Sequence, residues 1–561
     1  MKKICLATAL ALTMSVGFVF DAAAEGFMTS VKTREGVVEG VKDAKHETIN
    51  WWGVPYADGS KRFEMAKPLK ARKAALDCSK FGPINVQFNG KKVIGQEGAL
   101  TLDITRPNTE AKDLPVMVFI HGGNNQTSNS RLWMGQKFAE EANVVFVSMQ
   151  YRLGLFGWNN IPAIAQGNKW EQSGNLGFAD QYLALSWVRD NIKAFGGNPD
   201  NVTVSGFSAG GRDVMAMLIS PEFNGKFQKA ISFSGGCTVA NYKDSQNVIA
   251  KNLAPLVVED GVKGDILSAK TWLLSKKGKD MKEVRNYLAN VKAERIAPLM
   301  AGAGIRMSAF PHLYGDGNIL PKNAFATKKF NSVPLMMLAS SDEFSSFARR
   351  DKFFKNRMDQ VVSDIAAKKE YRFANKYGSL MYGYFNGQES AENIHKAYKN
   401  DMYVSTFNFG HNKELVGDDF NTTTGATHGI WLSFLTEQPY PWNKEITEVL
   451  AKPGPKDLSK AFIASLGAFM RTGNPNCVEL GQTWNPWNPD YKPEMVFDAH
   501  ETMTNIYSSN SRVSYAGILA ELENDNSISE EAKNKIVTEV LNGRWFSGPI
   551  DKKYNNINLW K

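Results

Sequence analysis

The sequence predicts an α/β fold in which a central, mostly parallel β-sheet is covered by helices on both faces. Short apolar runs rich in β-branched residues recur along the chain, and they are continuous rather than alternating, which is typical of strands buried on both faces. Segments with apolar residues at helical spacing lie between them. At residues 202–219 a strand, a glycine-rich turn and a helical stretch follow one another directly, which places a serine at a sharp corner.

The individual elements follow from these patterns. The apolar runs expected to form strands are residues 116–120, 144–149, 202–204, 230–233 and 335–338. Apolar side chains from Tyr182 to Phe195 recur near helical spacing and predict a crossover helix over residues 180–195. Residues 31–33 and 37–39 flank Glu35-Gly36 and predict a small antiparallel hairpin.

The corner at residues 206–210 has the pattern Gly-Phe-Ser-Ala-Gly, which indicates a nucleophile elbow. A serine at the tip of a strained turn needs small neighbours so that its hydroxyl stands clear of the sheet. Glycines around a serine also occur in ordinary turns, so the pattern alone leaves that alternative open. Other parts of an acyl-transfer site decide for Ser208 as the nucleophile.

Those other parts appear in the order that such a site uses. The strand at 116–120 leads into His121, Gly122, Gly123 and Asn124, a turn whose backbone N–H groups can bind a developing oxyanion, with the amide of Ala209 as a further donor. Downstream, the run at 335–338 precedes Asp342 and Glu343, and His428 lies in a glycine-flanked loop. Serine, acid and histidine therefore follow one another as expected for this chemistry.

These segments resemble a known family, the type B carboxylesterases, which form the cholinesterase-like branch of the α/β-hydrolases. The resemblance rests on Trp52 to Ala57 with Arg62-Phe63, on the His121 turn, on Tyr151 to Gly154, and above all on the block from Gly174 to Gly211. The Asp342-Glu343 pair, the His428 loop and Arg471 to Pro475 extend it almost to the C-terminus. The implied fold is an α/β-hydrolase with helical insertions over the active site.

The resemblance implies a role for each candidate residue. Ser208 is the nucleophile, His428 the general base, and Glu343 rather than Asp342 the acid that orients the histidine. Gly122, Gly123, Asn124 and Ala209 form the oxyanion hole. His121 is expected to stabilise the turn.

In the family, insertions shape a gorge above the serine. Here they correspond to residues 242–309, with helical charge patterning, and 351–421, rich in tyrosine and phenylalanine, both expected above the sheet. Tyr382, Tyr384, Phe385 and Phe407 are candidates to line the gorge, with core packing as the favoured alternative for each.

Departures from the family pattern bear on the substrate. Phe207 stands where the family usually has a glutamate, and Trp431 stands where the histidine loop usually has another, so both are candidates for an apolar substrate pocket. Phe344 and Asn124 replace usual glycines, although asparagine tolerates a positive φ. The cysteines of the family's N-terminal disulfide are missing near Asn85 and at Ala99. Neutral or aromatic esters are therefore expected as substrates, rather than choline esters.

The N-terminus predicts export. Lys2 and Lys3 precede an apolar stretch from Ile4 to Phe20, and small residues at 22–24 offer a cleavage site, so residues 1–24 are interpreted as a signal peptide and 25–561 as one catalytic domain. A membrane anchor is the alternative, but the apolar part is short and broken by polar residues. We expect a secreted or periplasmic protein. Cleavage leaves Cys78, Cys237 and Cys477, of which at most two can pair, and the sequence does not select them.

Composition limits the remaining function classes. With 43% hydrophobic and 22% charged residues the chain predicts a folded protein, and its net charge of +9 comes from scattered lysines rather than a nucleic-acid motif. The seven histidines form no ligand-spaced cluster, so neither a metal nor another cofactor is expected. The predicted partner is a small ester substrate, and the oligomeric state stays open. Two alternatives remain: a specialised hydrolase of feruloyl, polyester, carbamate or lipid esters, and a non-catalytic cholinesterase-like binding protein.

Overall fold

The computed structural model describes residues 26–436 and 443–556. The proposed signal peptide therefore lies outside the described residues. The strands are β1 Ser30–Thr33, β2 Gly36–Glu39, β3 Val41–Asp43, β4 Thr48–Pro55, β5 Leu76–Asp77, β6 Gln87–Phe88, β7 Val93–Ile94, β8 Thr101–Pro107, β9 Leu114–Ile120, β10 Val145–Met149, β11 Gly197–Phe207, β12 Lys229–Phe233, β13 Ala240–Asn241, β14 Tyr314–Gly315, β15 Leu335–Ser340, β16 Met402–Phe407, β17 Pro493–Phe497 and β18 Tyr507–Asn510.

The α-helices are α1 Gln136–Ala142, α2 Gly154–Gly157, α3 Lys169–Ser173, α4 Leu176–Asn191, α5 Ala209–Ile219, α6 Tyr242–Glu259, α7 Ile266–Leu273, α8 Gly278–Asn290, α9 Ala293–Ile296, α10 Ser345–Arg350, α11 Met358–Ser363, α12 Ile365–Asn386, α13 Gln388–Ile394, α14 Lys413–Val416, α15 Asp418–Thr423, α16 Leu432–Leu435, α17 Asn443–Leu450, α18 Pro453–Thr472, α19 Tyr515–Asn524, α20 Glu530–Lys535 and α21 Gly548–Lys553. Short 3-10 turns join several of them.

One 11-stranded sheet organises the molecule, in the order β18-β17-β16-β15-β12-β11-β9-β10-β8-β4-β3. The strands from β17 to β10 in that order pair in parallel, whereas β18 at one edge and β8, β4 and β3 at the other are antiparallel. Each of the five predicted strands is present, and β1 and β2 form the predicted hairpin. The predicted α/β-hydrolase class is confirmed by this sheet and by the comparisons below.

Alternate residues of β9 show why its sequence is apolar throughout. Val116, Val118 and Ile120 belong to one hydrophobic cluster, whereas Met117 and Phe119 belong to another. Because successive side chains of a strand point to opposite faces, the two clusters lie on the two sides of the sheet. Both faces of the sheet are therefore covered, as the continuous apolar runs predicted.

Two predicted boundaries differ from the structure. The crossover helix α4 begins at Leu176, four residues before the predicted start, and its last predicted turn is a 3-10 turn from Ile192 to Phe195. The stretch 351–421 does not lie wholly above the sheet, because Met402–Phe407 is strand β16 within it. The prediction failed there because tyrosines and phenylalanines suit a buried strand as well as a gorge.

Candidate active site

Ser208 stands alone between β11 and α5. Its φ is 59° and its ψ is −117°, a backbone conformation that is uncommon outside glycine. The turn is held from both sides: the N–H of Ser208 donates to the carbonyl of Phe233 on β12 at 2.8 Å, and its carbonyl accepts from the N–H of Arg212 at 3.0 Å. The tip of the turn is therefore over-determined by the sheet and the helix, which is how local strain persists.

The glycines on either side of the serine are required by close backbone contact. A Cβ on Gly206 would lie 2.2 Å from the carbonyl oxygen of Gly210, and a Cβ on Gly210 would lie 2.1 Å from the carbonyl oxygen of Ile120. No side chain fits at such distances. The pattern at residues 206–210 thus follows from the packing of β11, α5 and β9 at one point.

Glu343 and His428 meet beside this corner. Glu343 follows β15, is fully buried, and contacts Nδ1 of His428 through Oε2. Its other oxygen, Oε1, accepts from the N–H of Ser340 at 2.7 Å and from the hydroxyl of Ser234. Because Nδ1 faces a carboxylate, it carries the proton, and Nε2 is left with a free lone pair.

The Nε2 atom of His428 is buried and has no hydrogen-bond partner among the described residues. It is therefore not bonded to Ser208 in this structure, although the ring of Phe207, next to the serine, lies 4.7 Å from the histidine ring. In the absence of substrate, such catalytic hydrogen bonds are often long and tighten only when substrate binds.

Asp342, adjacent to Glu343, has different partners. Its Oδ2 accepts from Nε2 of His411 at 2.6 Å and from the N–H of Ala426 at 2.9 Å, and its Oδ1 accepts from Asn375 at 3.0 Å. Burial opposes protonation of His411, but the bond to Asp342 and its charge raise the pKa of His411 above its ordinary value. Asp342 thus holds the loop that carries His428 without touching the histidine ring.

The predicted oxyanion turn lies directly against the serine. A Cβ on Gly122 would be 2.9 Å from the Cβ of Ser208. Gly123 and Asn124 both have positive φ, 87° and 58°. Within the described residues, the N–H groups of Gly122, Gly123 and Ala209 have no hydrogen-bond acceptor. Ala209 is the first residue of α5, where the backbone N–H groups have no partner within the helix. These donors are free to bind an oxyanion.

A buried polar network supports that turn from below. The hydroxyl of Tyr151 lies 2.8 Å from both the carbonyl oxygen of His121 and Oδ1 of Asn125, which share its one proton, and the amide of Asn125 donates to Asp213 at 2.9 Å. Burial raises the pKa of Asp213 to about 6 and lowers that of His121 to about 4. His121 is therefore neutral at pH 7, and its Nδ1 lies 3.0 Å from the carbonyl oxygen of Gly122, a position that suits a turn-stabilising residue.

Comparisons with known sequences show the family of this chain. The sequence model of the carboxylesterase family matches residues 28–401, two thirds of the chain. The chain belongs to the carboxylesterase family. Para-nitrobenzyl esterase of Bacillus subtilis (strain 168) is 31% identical over 325 residues, which are 56% of this chain and 62% of that enzyme. Carboxylesterase 1E of Mus musculus is 30% identical over 498 residues, 78% of this chain and 83% of that enzyme.

A solved structure of a PNB esterase shares the fold. It matches with a TM-score of 0.62 at 24% sequence identity and covers 86% of this chain and 98% of its own. The resemblance to type B carboxylesterases is confirmed, and the family and its named esterases support a carboxylic ester hydrolase.

In this member of the family, aromatic rings enclose the histidine. The rings of Phe347 and Tyr382 lie 5.2 Å and 5.6 Å from that of His428, and Phe207 packs on it from the serine side. The sequence missed Phe347, and it missed Ser234, whose hydroxyl holds Glu343. Only the short serine-glycine turn after an apolar strand could have indicated Ser234.

The remaining predicted pocket and gorge residues differ in their placement. Trp431 is fully buried and stacks on Phe233 with ring centroids 4.0 Å apart, so in this structure it supports Phe207 from behind and offers a substrate no surface. Phe407 lies in β16 and is core, as the alternative had it, and the Tyr384 hydroxyl bonds to Glu392. Trp431 failed as a pocket residue because its loop position does not reveal which side of the histidine its ring takes.

Phe385 lines a cavity of about 750 Å³ together with Cys237, Thr238, Glu389, Tyr515, Trp545, Phe546, Gly548, Pro549, Asp551, Lys552, Asn555 and Asn556. Ser208, Glu343 and His428 are not part of that lining. Cys78, Cys237 and Cys477 are all free thiols. In residues 26–436 and 443–556 no cluster of His, Cys, Asp and Glu could hold a metal ion, and no helix there is long and apolar enough to span a membrane.

Proposed function

We propose that this protein hydrolyses carboxylic esters through an acyl-enzyme on Ser208. The observation that carries the proposal is the buried contact of Glu343 with Nδ1 of His428, on a histidine whose free Nε2 lies in the same aromatic enclosure as the serine turn. A nucleophile, a base with an available lone pair and an acid that fixes its tautomer are the parts that acyl transfer needs.

In the proposed reaction, His428, Glu343 and the oxyanion hole act once in the acylation step and once in the deacylation step. Nε2 of His428 takes the proton of the Ser208 hydroxyl as the oxygen attacks the ester carbonyl, and Glu343 stabilises the imidazolium that results. The free N–H groups of Gly122, Gly123 and Ala209 bind the negative oxygen, with Asn124 holding the turn. The imidazolium then protonates the leaving alcohol, and water, activated by the same histidine, releases the acid from the serine.

The proposed substrates are esters without a positive charge. Phe207 places an apolar ring at the position where a carboxylate would attract a cation. The ring is 3% exposed and packs against His428. The feruloyl, polyester, carbamate and lipid alternatives remain within the same mechanism. A non-catalytic binding protein is disfavoured, since it would not need a histidine base held by a buried acid.

We also retain the proposal that the protein is exported. It rests on the basic start, the apolar stretch and the small residues at 22–24. N-terminal sequencing of the protein recovered from its native host should begin near residue 25, and recovery of an intact residue 1 would contradict cleavage.

Labelling with a fluorophosphonate tests the enzymatic proposal directly. We expect stoichiometric labelling of the purified protein, with the mass of the adduct on the peptide that contains Ser208. Ser205→Ala is the matched control, because Ser205 is a buried serine three residues earlier on β11 whose hydroxyl bonds to the carbonyl of Val118 at 3.3 Å. Labelling should survive in Ser205→Ala and vanish in Ser208→Ala. Unlabelled wild-type protein would favour the binding-protein alternative.

A further inference from the structure

Arg212 is a buried cation that has no carboxylate partner in the part of the chain that the structure describes. It lies on α5 one helical turn after Ser208 and is 1% exposed. Its guanidinium carbon sits 3.5 Å from the centre of the Trp545 ring, and its Nη2 lies 2.5 Å from Nε2 of His312. Its Nε and Nη1 have no hydrogen-bond partner among the described residues. Because Cα–Cβ bonds on a helix tilt toward its N-terminus, the side chain of Arg212 leaves the helix toward the end that carries Ser208.

His312 cannot neutralise this charge. Its Nδ1 donates to the carbonyl of Phe310 at 3.0 Å, so its Nε2 is the acceptor for Arg212. Burial, with the charge of Arg212, lowers the pKa of His312 well below its usual range, so the ring is neutral. The nearest acid in sequence, Asp213, accepts from Asn125 and Gln181 instead. Burial lowers the pKa of Arg212 to about 10, which leaves it protonated at pH 7.

Three other arginines are buried to a similar degree, and their guanidinium groups are satisfied. Arg152 makes a bidentate pair with Asp180 at 2.8 and 2.7 Å, and Arg544 pairs with Asp351 at 2.8 Å. Arg106 donates to the carbonyls of Pro107, Phe195, Thr109 and Ala111. A buried charge that is left without a partner destabilises the folded state. Arg212 therefore differs from these three arginines because its Nε and Nη1 have neither a carboxylate nor a carbonyl as acceptor among the described residues.

Trp545 and Tyr382 bring further polar groups close to Arg212. The side chains of Trp545 and Asn386 are donors to the Tyr382 hydroxyl, but none of the three groups has a well-aligned hydrogen bond within the described residues. Burial and the charge of Glu343 raise the pKa of Tyr382, while the charge of Arg212 opposes this, so the hydroxyl is within electrostatic range of both. Its ring stacks on His428. The cluster is rich in donors, and it connects to the catalytic histidine through one side chain.

Trp545 joins this cluster to open space. One face of its ring covers Arg212, and the residue also lines the 750 Å³ cavity with Phe385 and Thr238. Lys552 stands in the same lining. Arg212 is not among the residues that line the cavity, and Trp545 is a side chain that contacts both the guanidinium and the cavity.

We propose that Arg212, with Tyr382 and Trp545, binds a carboxylate, and that this carboxylate is carried by the ester substrate. The planar fork of a guanidinium binds a carboxylate through two donors on one edge, either Nε with Nη2 or Nη1 with Nη2. His312 takes only one of the two hydrogens on Nη2, and Nε and Nη1 are unpartnered, so one two-donor edge of Arg212 is left. The claim that the ester substrate carries this carboxylate rests on the function proposed above. It extends the substrate class from neutral esters to half-esters of dicarboxylic acids, and cationic esters remain disfavoured.

The test compares substrates that differ only in the terminal group. Monoethyl succinate, glutarate and adipate are paired with ethyl butyrate, pentanoate and hexanoate, and the acid released is titrated at constant pH. We expect the ratio of kcat/KM, half-ester over neutral ester, to fall at least tenfold in Arg212→Met for the best chain length. Arg106→Met is the matched control, since it removes a buried arginine whose donors are all taken, and it should keep the wild-type ratio.

A second arm separates the two sources of a carboxylate without turnover. Sodium acetate, against sodium chloride at equal ionic strength, should raise the melting temperature of the wild type and not that of Arg212→Met. If acetate raises the melting temperature but Arg212→Met leaves the kcat/KM ratio unchanged, the carboxylate site stands and its ligand is a free carboxylic acid rather than the ester substrate. If Arg212→Met does not fold, Arg212→Lys, which keeps the charge and loses the fork, should still lower the ratio. Equal effects of chloride and acetate, or no effect in either arm, would overturn the proposal. Failure of esterase activity alone would leave the melting result standing.

Discussion

Glu343 and His428, 85 residues apart in the chain, form a buried hydrogen bond between Oε2 and Nδ1. Asp342, the residue before Glu343, bonds instead to His411 on the other side of the loop. Two adjacent carboxylates thus bond to two different histidines, and it is His428, the partner of Glu343, that lies beside the serine turn.

We expect Glu343→Gln to lower kcat by about 10²-fold or more, because the amide can stabilise neither the imidazolium nor the correct tautomer. Asp342→Asn is the matched variant and should cost less than about tenfold in kcat, since Asp342 reaches His428 only through the loop backbone. Steady-state kinetics on one p-nitrophenyl ester decides between them. A larger loss at Asp342 would transfer the role of acid to that residue.

Ser208→Ala should abolish hydrolysis, with a loss of about 10³-fold or more in kcat, while the melting temperature changes little. The side chain is small and the strained turn is held by backbone bonds to Phe233 and Arg212, so removing the hydroxyl leaves almost no cavity. Adding His428→Ala should cause little further loss. Losses that multiply would show that the two residues do not act as one unit.

Gly122→Ala should reduce kcat strongly, because a Cβ there would lie 2.8 Å from the carbonyl oxygen of Phe207 and 2.9 Å from the Cβ of Ser208. Either the oxyanion turn or the serine must shift. Gly264→Ala is the control, since a Cβ at Gly264 meets nothing within 4 Å. Normal activity in Gly122→Ala would remove this turn from the proposed oxyanion hole.

Phe207 should make the wild type prefer a neutral ester to its cationic isostere. Acetylthiocholine and 3,3-dimethylbutyl thioacetate differ by one charge, and we expect a higher kcat/KM for the neutral thioester. Phe207→Glu should shift the ratio toward the cation by an amount worth about 1 kcal/mol, because the charge is partly screened. The variant should also melt lower, since the ring packs on His428 and Trp431. A wild-type preference for the choline ester would contradict the apolar-site interpretation.

Glu389 should make stability depend on pH. Burial raises its pKa from the ordinary 4.5 to about 7, although Tyr515 donates to it at 2.9 Å. The folded state thus binds the proton more tightly than the unfolded state, so this contribution to stability is complete below pH 4.5 and is lost as the pH rises through about 7. Glu389→Gln removes the titration. Its melting temperature relative to wild type should rise between pH 5 and pH 8, by the equivalent of about 1–2 kcal/mol. A difference that is constant across this range would contradict the buried carboxyl.

Local pattern predicted the central elements, and together with the family resemblance it predicted the candidate residues. Continuous apolar runs predict strands buried on both faces wherever they occur, and the glycines around Ser208 can be read from the sequence because backbone contact at the elbow excludes any side chain. The order of serine, acid and histidine is likewise a property of the chain. Strand β16 escaped this reasoning, because its aromatic residues suit either an exposed gorge or a buried sheet.

Tertiary structure decided which side chains meet. Nothing in the sequence separates Asp342 from Glu343 except resemblance, and only the packing of β15 against the His428 loop brings Glu343 onto His428. Trp431 turned from a pocket candidate into core for the same reason, since the face that a loop residue presents depends on neighbours distant in the chain. The sequence places Arg212 on the helix that follows the elbow. That this arginine is buried without an anion becomes apparent only in the tertiary structure, where His312 and Trp545, at least 100 residues away, pack around it. Whether a side chain is buried and which groups it contacts depend on residues that are distant in the chain. An unpaired charge is costly only where folding has removed the water around it, and the sequence does not show where that happens.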